Sequence, residues 1–256
     1  GYESCLDAEL IEGKIIQCSG AYSCQDVAQI NAETLMYCGG YKACEKAIIT
    51  AGKEVNCDGY QSCCGAKIES EDNVLCQGTR SCKKVKMNTP KTAQCSGDRA
   101  CQGGKITAAK VSLYGNSAGE EAQISADEVE AFGSNTLNFG EIDSVNRTKI
   151  KVKVSREAVG KDSTVICRDG CDCEIECVDG CEELELVQMS GSTSTVSVSQ
   201  PKVSSTTGLI GKTTTTATCD TQYSHPANAS DGCPMVKVSS SDCEDRELET
   251  YLTNKR

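Results

Sequence analysis

Pairs of cysteines six residues apart recur along the first part of this chain. Each pair encloses a glycine-bearing segment, as in CDGYQSC from Cys57 to Cys63. The five pairs are Cys18 with Cys24, Cys38 with Cys44, Cys57 with Cys63, Cys76 with Cys82, and Cys95 with Cys101. Two thiols flanking a tight corner can reach the β-carbon separation of about 3.8 Å that a disulfide requires. The spacing therefore predicts one disulfide within each copy, with pairing between adjacent copies as the alternative.

The other reactive side chains do not form a catalytic set. His225 is the single histidine among 256 residues. No second histidine is available for a serine triad or for a metal centre with several histidine ligands. The 20 cysteines suit disulfides rather than a thiol nucleophile. A cysteine content this high is typical of scaffolds that persist in oxidising compartments. We therefore predict a non-enzymatic protein without a cofactor that is secreted or displayed at the cell surface.

Charge and composition narrow the choice of partners. The formal net charge of −11 argues against nucleic acid, which requires clustered lysine and arginine. The sequence has no run of about 18 apolar residues, so we expect no membrane span. The sequons at Asn146 and Asn228 predict attached N-linked glycans.

The glycines between the paired cysteines mark a repeat of 18–20 residues, whose seven copies are numbered here as coils one to seven. The glycines are Gly20, Gly40, Gly59, Gly78, Gly97, Gly115 and Gly133. With position one set two residues before each glycine, positions one and seven are cysteine in coils one to five. In coils six and seven, positions one and seven hold leucine, glycine or alanine instead of cysteine. Position twelve is isoleucine or methionine from coil two onward, and apolar residues alternate with polar ones around it, as in AKIES. This alternation is the period of a β-strand.

Strands that recur at this interval leave no room for helices between them. The sequence therefore predicts an all-β fold, a right-handed parallel β-helix (β-solenoid) with disulfide-stapled coils of 18–20 residues. Adjacent coils should stack about 4.8 Å apart, and right-handed coiling follows from the preference of parallel crossovers. We predict solenoid repeats over residues 1–145 and modified coils with an acidic, cysteine-rich segment over 146–186. A Ser/Thr-rich region with strands and a short terminal helix is predicted over 187–256.

The consensus C-x-G-x-x-[SA]-C-x-x-A-x-I resembles the cysteine-laced β-helical repeats in secreted and cell-surface proteins of algae and other protists. The likeness covers about residues 1–145 and implies a repeat architecture and an extracellular setting. More distantly, the repeat resembles the disulfide-laced β-helices of insect antifreeze proteins. Ice binding needs a regular outward array, typically of threonine, whereas the positions flanking position twelve hold charged residues such as Lys67, Glu69 and Lys86. The antifreeze function is therefore not implied.

Two cysteines of the repeat region fall outside the five pairs. Cys5 takes position seven of a copy whose position one would precede Gly1, and Cys64 takes position eight of coil three. They lie about three coils, or roughly 15 Å, apart, which exceeds disulfide reach. Each could pair with a C-terminal cysteine, stay free, or bond to a neighbouring chain. Cys5 and Cys64 are therefore candidates for intermolecular disulfides.

The segment from Cys167 to Leu186 combines cysteine with a high density of acidic residues. One interpretation is a disulfide knot with a solvated acidic surface. A second is a calcium site at Asp169, Asp172 and Asp179, although no EF-hand loop pattern is present. A third is zinc held through the CxC and CxxxC spacings, which an oxidising compartment disfavours.

The end strands of a solenoid suggest a function, because they expose unpaired backbone groups that can template further pairing. The chain begins in mid-coil, so a second copy or a related chain could complete that coil. Contacts that do not close give open polymers. We therefore favour an extracellular structural protein that assembles head to tail into a filament or surface appendage.

The alternative function is a cell-surface module that binds carbohydrate or another ligand. Tyr41 and Tyr60 share position four, with Tyr22 and Tyr114 one place along, and aromatic ladders can hold sugar rings. A local group of basic residues is interpreted as an exposed face of the solenoid: Arg80, Lys83, Lys84, Lys86 and Arg99.

Overall fold

The computed structural model shows an all-β chain wound into a parallel β-solenoid of about 9 turns. The structure describes residues 2–144, 147–155, 157–160, 162–168, 170–178, 184–188 and 192–199, with two further strands at 213–218 and 237–240. Within these ranges no helix is present. The described residues accordingly hold no helix long and apolar enough to cross a membrane.

The described strands form one continuous 18-stranded sheet. In chain order they are β1 Ile11–Cys18, β2 Ile30–Cys38, β3 Ile48–Ala51, β4 Glu54–Cys57, β5 Lys67–Ser70, β6 Asn73–Cys76, β7 Lys86–Asn88, β8 Thr92–Cys95, β9 Lys105–Tyr114, β10 Gln123–Phe132, β11 Glu141–Asp143, β12 Lys149–Ser155, β13 Ser163–Cys167, β14 Asp172–Val178, β15 Leu184–Gln188, β16 Thr193–Ser199, β17 Thr213–Thr218 and β18 Lys237–Ser240. Most coils contribute two short strands, one to each side of the solenoid, whereas β1, β2, β9 and β10 each run through both sides.

Equivalent strands of successive coils pair in parallel and in register, which produces two sides of the solenoid. On the first side, β3, β5, β7 and the start of β9 bring position twelve into one column, with Ile49 opposite Ile68, Ile68 opposite Met87, and Met87 opposite Ile106. On the second side, β4, β6 and β8 align Val55 with Val74 and Val74 with Ala93. These side chains are buried between the two sides. Because successive side chains of a strand point to opposite faces, every second residue points into the space between the two sides.

The third side, positions four to ten, is a corner built from left-handed residues rather than from strands. In coil two, Lys42, Cys44 and Lys46 have φ angles of 51°, 56° and 58°. Their amides donate alternately to the following and the preceding coil: Lys42 N–H to the Tyr60 carbonyl, Cys44 N–H to Ser23, and Lys46 N–H to Cys64, at 2.9–3.0 Å. Non-glycine residues seldom adopt positive φ. Here the conformation is stabilised because it pairs each of these amide groups with a neighbouring coil.

The glycine at position three is required by the close approach of adjacent coils. A β-carbon on Gly59 would lie 2.1 Å from the carbonyl oxygen of Gly40, and one on Gly40 would lie 2.0 Å from that of Gly20. The same contact recurs at 2.3 Å between Gly97 and Gly78. Real β-carbons do not come this close to a backbone oxygen, so the glycines form a column of touching backbones.

Parallel stacking continues beyond coil seven, past residues 145 and 187 where the composition suggests boundaries. Val129 pairs with Val152, Val152 with Ile175, and Ile175 with Val196, which extends the second side through β12, β14 and β16. β18 lies parallel on β15, whereas β17 lies antiparallel on β16. The short terminal helix that the sequence predicts falls outside the described residues.

Candidate functional site

The paired cysteines form disulfides inside the stack. The bonds join Cys18 to Cys24, Cys38 to Cys44, Cys57 to Cys63, Cys76 to Cys82, Cys95 to Cys101, and Cys167 to Cys173, each across a sequence separation of 6. Their Cα–Cα distances lie between 5.9 and 6.2 Å, within the normal range for a disulfide. The side chains of Cys57 and Cys63 are fully buried. Each disulfide therefore closes one corner from the inside.

The disulfides stack into a continuous column of sulfur. The Sγ atoms of Cys38, Cys57 and Cys63 lie within 4.8 Å of one another, and the same arrangement recurs one and two coils further on. A thiolate is the form of cysteine that holds a metal ion. Because every sulfur in this column is in a disulfide, the column serves as a staple and offers no metal site.

Coils six and seven lack the disulfide and fill its space with leucine. Leu113 takes position one of coil six, and a β-carbon on Gly119 at position seven would lie 2.6 Å from its Cδ1 atom. Coil seven reverses the pair, with Ala131 at position one and Leu137 at position seven, both buried. The joint change of these two positions in the sequence is therefore a change from a covalent to an apolar staple.

Three described cysteines remain unpaired: Cys5 is exposed, Cys64 half-buried and Cys171 buried. Burial raises the pKa of the Cys64 thiol and the nearby Glu45 carboxylate adds to the shift, while Lys83 opposes it. Burial likewise raises the pKa of Cys171, whose Sγ lies 3.9 Å from the bonded Sγ of Cys173. Sequence reasoning missed Cys171, because the cysteines that follow Cys101 number eight, an even set that could pair fully.

Alkylation of the monomeric chain should therefore proceed in the order Cys5, Cys64, Cys171. The reactive species is the thiolate, and a raised pKa lowers its fraction at neutral pH. We expect Cys64, which is half-buried, to react more slowly than the exposed Cys5 at pH 7, and to speed up as the pH rises. Peptide mass spectrometry of iodoacetamide time courses measures each rate. Equal rates for Cys5 and Cys171 would contradict the described burial.

The predicted calcium ligands and glycosylation sites are described only in part. The Asp172 carboxylate lies 3.6 Å from the Lys149 ammonium, so one of its neighbours is a cation. Asp169 and Asp179 lie outside the described residues, as do Asn146 and Asn228. The calcium site and the glycans therefore stay predictions.

The tyrosine ladder consists of Tyr2, Tyr22, Tyr41 and Tyr60. Tyr41 and Tyr60 stack with ring centroids 5.7 Å apart and an interplanar angle of 3°, while Tyr22 meets Tyr41 edge-on at 5.3 Å. Tyr114 belongs to a separate stack with Phe132. A sugar ring stacks on an aromatic face, and the facing surfaces of Tyr41 and Tyr60 are occupied by each other. The geometry therefore favours a structural ladder over a sugar site.

The outer surface of the second side carries a ladder of alternating charge. The Lys110 ammonium lies 3.3 Å from Glu128 and 3.0 Å from Glu130, and the Lys151 ammonium lies 3.4 Å from Glu174. Burial alone would raise the pKa of Glu130, but hydrogen bonds from Tyr114 and Lys110 outweigh it and hold the pKa below its usual value. Exposed ion pairs each contribute little stability. The alternation of lysine and glutamate does place opposite charges next to each other in neighbouring coils.

The described residues thus present a buried disulfide column, a tyrosine ladder, free thiols and charged outer faces, none of which forms a catalytic constellation. Function must be inferred from these surfaces, because the chain matches no family model, no curated protein and no solved structure.

Proposed function

We propose that this chain is a non-enzymatic extracellular structural protein whose solenoid associates end to end into a filament or surface appendage. The disulfide-rich β-solenoid is compatible with an extracellular structural or surface role. Its stack of stapled coils offers a stiff, thin rod. The disulfide column supports an oxidising location, because disulfides persist in oxidising compartments.

The observation that carries the proposal is the apolar surface around β1. Within the described residues β1 pairs with β2 alone, so a strand from a second copy could pair with its other edge. Ile15 of this strand is 63% exposed, and Tyr2, Leu6 and Leu10, which precede β1 in the chain, are also exposed. An open strand edge with apolar side chains is a template for a further strand. A second copy docked here would cover both the strand edge and the apolar side chains.

At the far end of the described stack, the last described strands are β17 and β18. β18 keeps the parallel direction of the inner coils, whereas β17 runs antiparallel across β16. A head-to-tail contact would place β1 of one copy against β17 and β18 of the next. Such a contact does not close on itself and yields an open polymer.

Replacing Ile15 with lysine should weaken this assembly, because Ile15 lies next to Leu35 of β2 on the outward face and a docked strand would cover it from the other side. We expect the unchanged chain to form concentration-dependent oligomers, and Ile15→Lys to form fewer at each concentration in light scattering and electron microscopy. Ile48→Lys is the matched control, since Ile48 is 44% exposed on the side of the stack. A chain that stays monomeric at every concentration, or equal effects of both variants, would refute end-to-end assembly.

Non-reducing gels test the covalent form of the same contact. If Cys5 links neighbouring copies, Cys5→Ser removes a reductant-sensitive dimer band and Cys64→Ser retains it. Dimers retained in Cys5→Ser would place the link elsewhere, whereas dimers lost from both variants would indicate a bond between Cys5 of one copy and Cys64 of the next.

A further inference from the structure

A column of lysines lies on the outer surface of the first side. Lys67, Lys86 and Lys105 occupy the same position on β5, β7 and β9 and pair directly in register. All three side chains are exposed. Adjacent strands are about 4.8 Å apart, and like charges placed directly opposite each other destabilise a sheet. The column therefore imposes a cost on the fold.

The second side of the same solenoid avoids this cost. There, Lys110 pairs in register with Glu128, Glu128 with Lys151, and Lys151 with Glu174, so the sign of the charge alternates from coil to coil. On the first side, Lys67 forms an ion pair at 2.8 Å with Glu69 of its own strand. Among the described residues, Lys86 and Lys105 have no carboxylate partner within ion-pair distance. In a chain of net charge −11, these two cations are left without compensation.

The surroundings of the column extend the positive surface and add polar groups. Lys84 is exposed at the adjoining corner. Along the strands, the neutral residues Asn88 and Thr107 follow Lys86 and Lys105 on the same outward face. The lysine face, defined as Lys67, Lys84, Lys86, Lys105, Asn88 and Thr107, thus combines repeated cations with hydrogen-bonding groups.

We propose that the lysine face binds an anionic polysaccharide, a chain of sugars bearing sulfate or carboxylate groups that lies along the solenoid axis. A linear polymer with regularly repeated charge complements cations that repeat once per coil. A lysine ammonium acts as a compact point charge and accepts either anion, while Asn88 and Thr107 can hydrogen-bond sugar hydroxyls. The net charge of −11 disfavours non-specific binding of polyanions elsewhere on the chain. The face is on the side of the stack and is independent of the proposed end-to-end contact.

The test compares binding of the full chain to dextran sulfate, to a polyuronate and to uncharged dextran. We expect binding to at least one anionic polymer that weakens as salt rises from about 50 to 200 mM, by analogy with other polyanion complexes. The variant K86Q/K105Q should bind about tenfold more weakly, and the slope of log affinity against log salt should fall by about 2. Preference for either anion supports the proposal and identifies the group recognised.

The matched control is K149Q/K151Q, which removes the same two charges from lysines that face carboxylates. We expect it to change the affinity less than twofold. K86Q/K105Q should melt at the same temperature as the unchanged chain or slightly higher, because it relieves like-charge repulsion. Equal losses in both variants, equal binding to charged and uncharged dextran, or tighter binding to duplex DNA or anionic lipid vesicles would overturn the proposal.

Discussion

Gly59→Ala is expected to destabilise the solenoid by about 3 kcal/mol or more, among the largest effects of a single substitution. The added β-carbon would meet the Gly40 carbonyl oxygen at 2.1 Å and the Gly39 carbonyl oxygen at 2.8 Å. Both are backbone atoms of the preceding coil, so relief requires that the two coils move apart. That movement would lengthen the hydrogen bonds that the Asp58 and Gly59 amides donate to the Cys38 carbonyl, now 3.1 and 3.3 Å. The clash therefore acts on the stacking itself.

Gly13→Ala provides the control for the loss of a glycine. A β-carbon on Gly13, in β1, would lie 3.4 Å from Ile16 Cγ1, which is ordinary contact. We expect it to change the free energy of unfolding by no more than about 0.5 kcal/mol. Urea unfolding followed by far-ultraviolet circular dichroism, with the disulfides intact, measures both variants. A Gly59→Ala chain as stable as the original would show that the coils stack less closely than described.

The fold could be predicted because its strongest signals are local and repeat. The alternation around position twelve identifies strands, and the regular return of Ile68, Met87 and Ile106 identifies their parallel stacking. The role of position three was harder to assign. Glycine at a corner suggests a need for unusual φ, but here Gly59 is needed for inter-coil contact, and the positive φ angles belong to residues such as Lys42 and Cys44. The residue type alone does not distinguish a glycine that is needed for close contact between coils from one that is needed for positive φ.

The spacing favours disulfides within coils, which the structure shows, but it does not exclude disulfides between coils. In a stack whose cysteines lie in register, Cys57 is within 4.8 Å of both Cys63 in its own coil and Cys38 in the preceding one. The continuation of the solenoid beyond coil seven is also hard to recognise in the sequence, because the length of the repeat changes there. The step from Ile142 to its paired residue Val165 is 23 residues, and the next step, to Leu186, is 21. A search for a fixed period of 18–20 fails there although the pairing persists.

The lysine face shows a further limit of sequence reasoning. Lys83, Lys84 and Lys86 are adjacent in the chain and were recognised as a basic group. Lys67 and Lys105 are far from them in sequence, and only the register brings them into one column with Lys86. The alternation of lysine and glutamate on the second side is likewise visible only once the pairing between coils is known.

Reduction of the disulfides should open coils one to five before coils six and seven. Each bond closes a loop of about seven residues, which corresponds to about 2 kcal/mol in the loop-entropy model, so five bonds together contribute on the order of 10 kcal/mol. That sum is comparable with the whole stability of a typical domain. Reduction also frees Cys24, Cys44, Cys63 and Cys82 to leave the left-handed conformation, which is unfavourable for residues with a β-carbon.

Hydrogen exchange with and without reductant, read by peptide mass spectrometry, resolves the coils separately. We expect the amides of β3 to β8 to lose protection first, because the stability of a repeat protein is the sum of its local units and their interfaces. Peptides from β10 should keep protection longer, since Leu113 and Leu137 replace the bond in the coils that flank it. Uniform loss of protection across all coils would mean that the apolar staple does not act independently.

The two kinds of staple can be exchanged to test whether the leucine does the work of the bond. Cys57→Leu/Cys63→Gly copies the pair found in coil six, and Cys57→Ala/Cys63→Ala leaves the same space empty. An empty buried site costs stability for the lost contacts and for the cavity, and glycine suits the φ of 52° at position 63. We therefore expect the Leu/Gly variant to be more stable than the Ala/Ala variant by about 1–2 kcal/mol in urea unfolding. If the two variants unfold at the same urea concentration, leucine does not replace the disulfide in this corner.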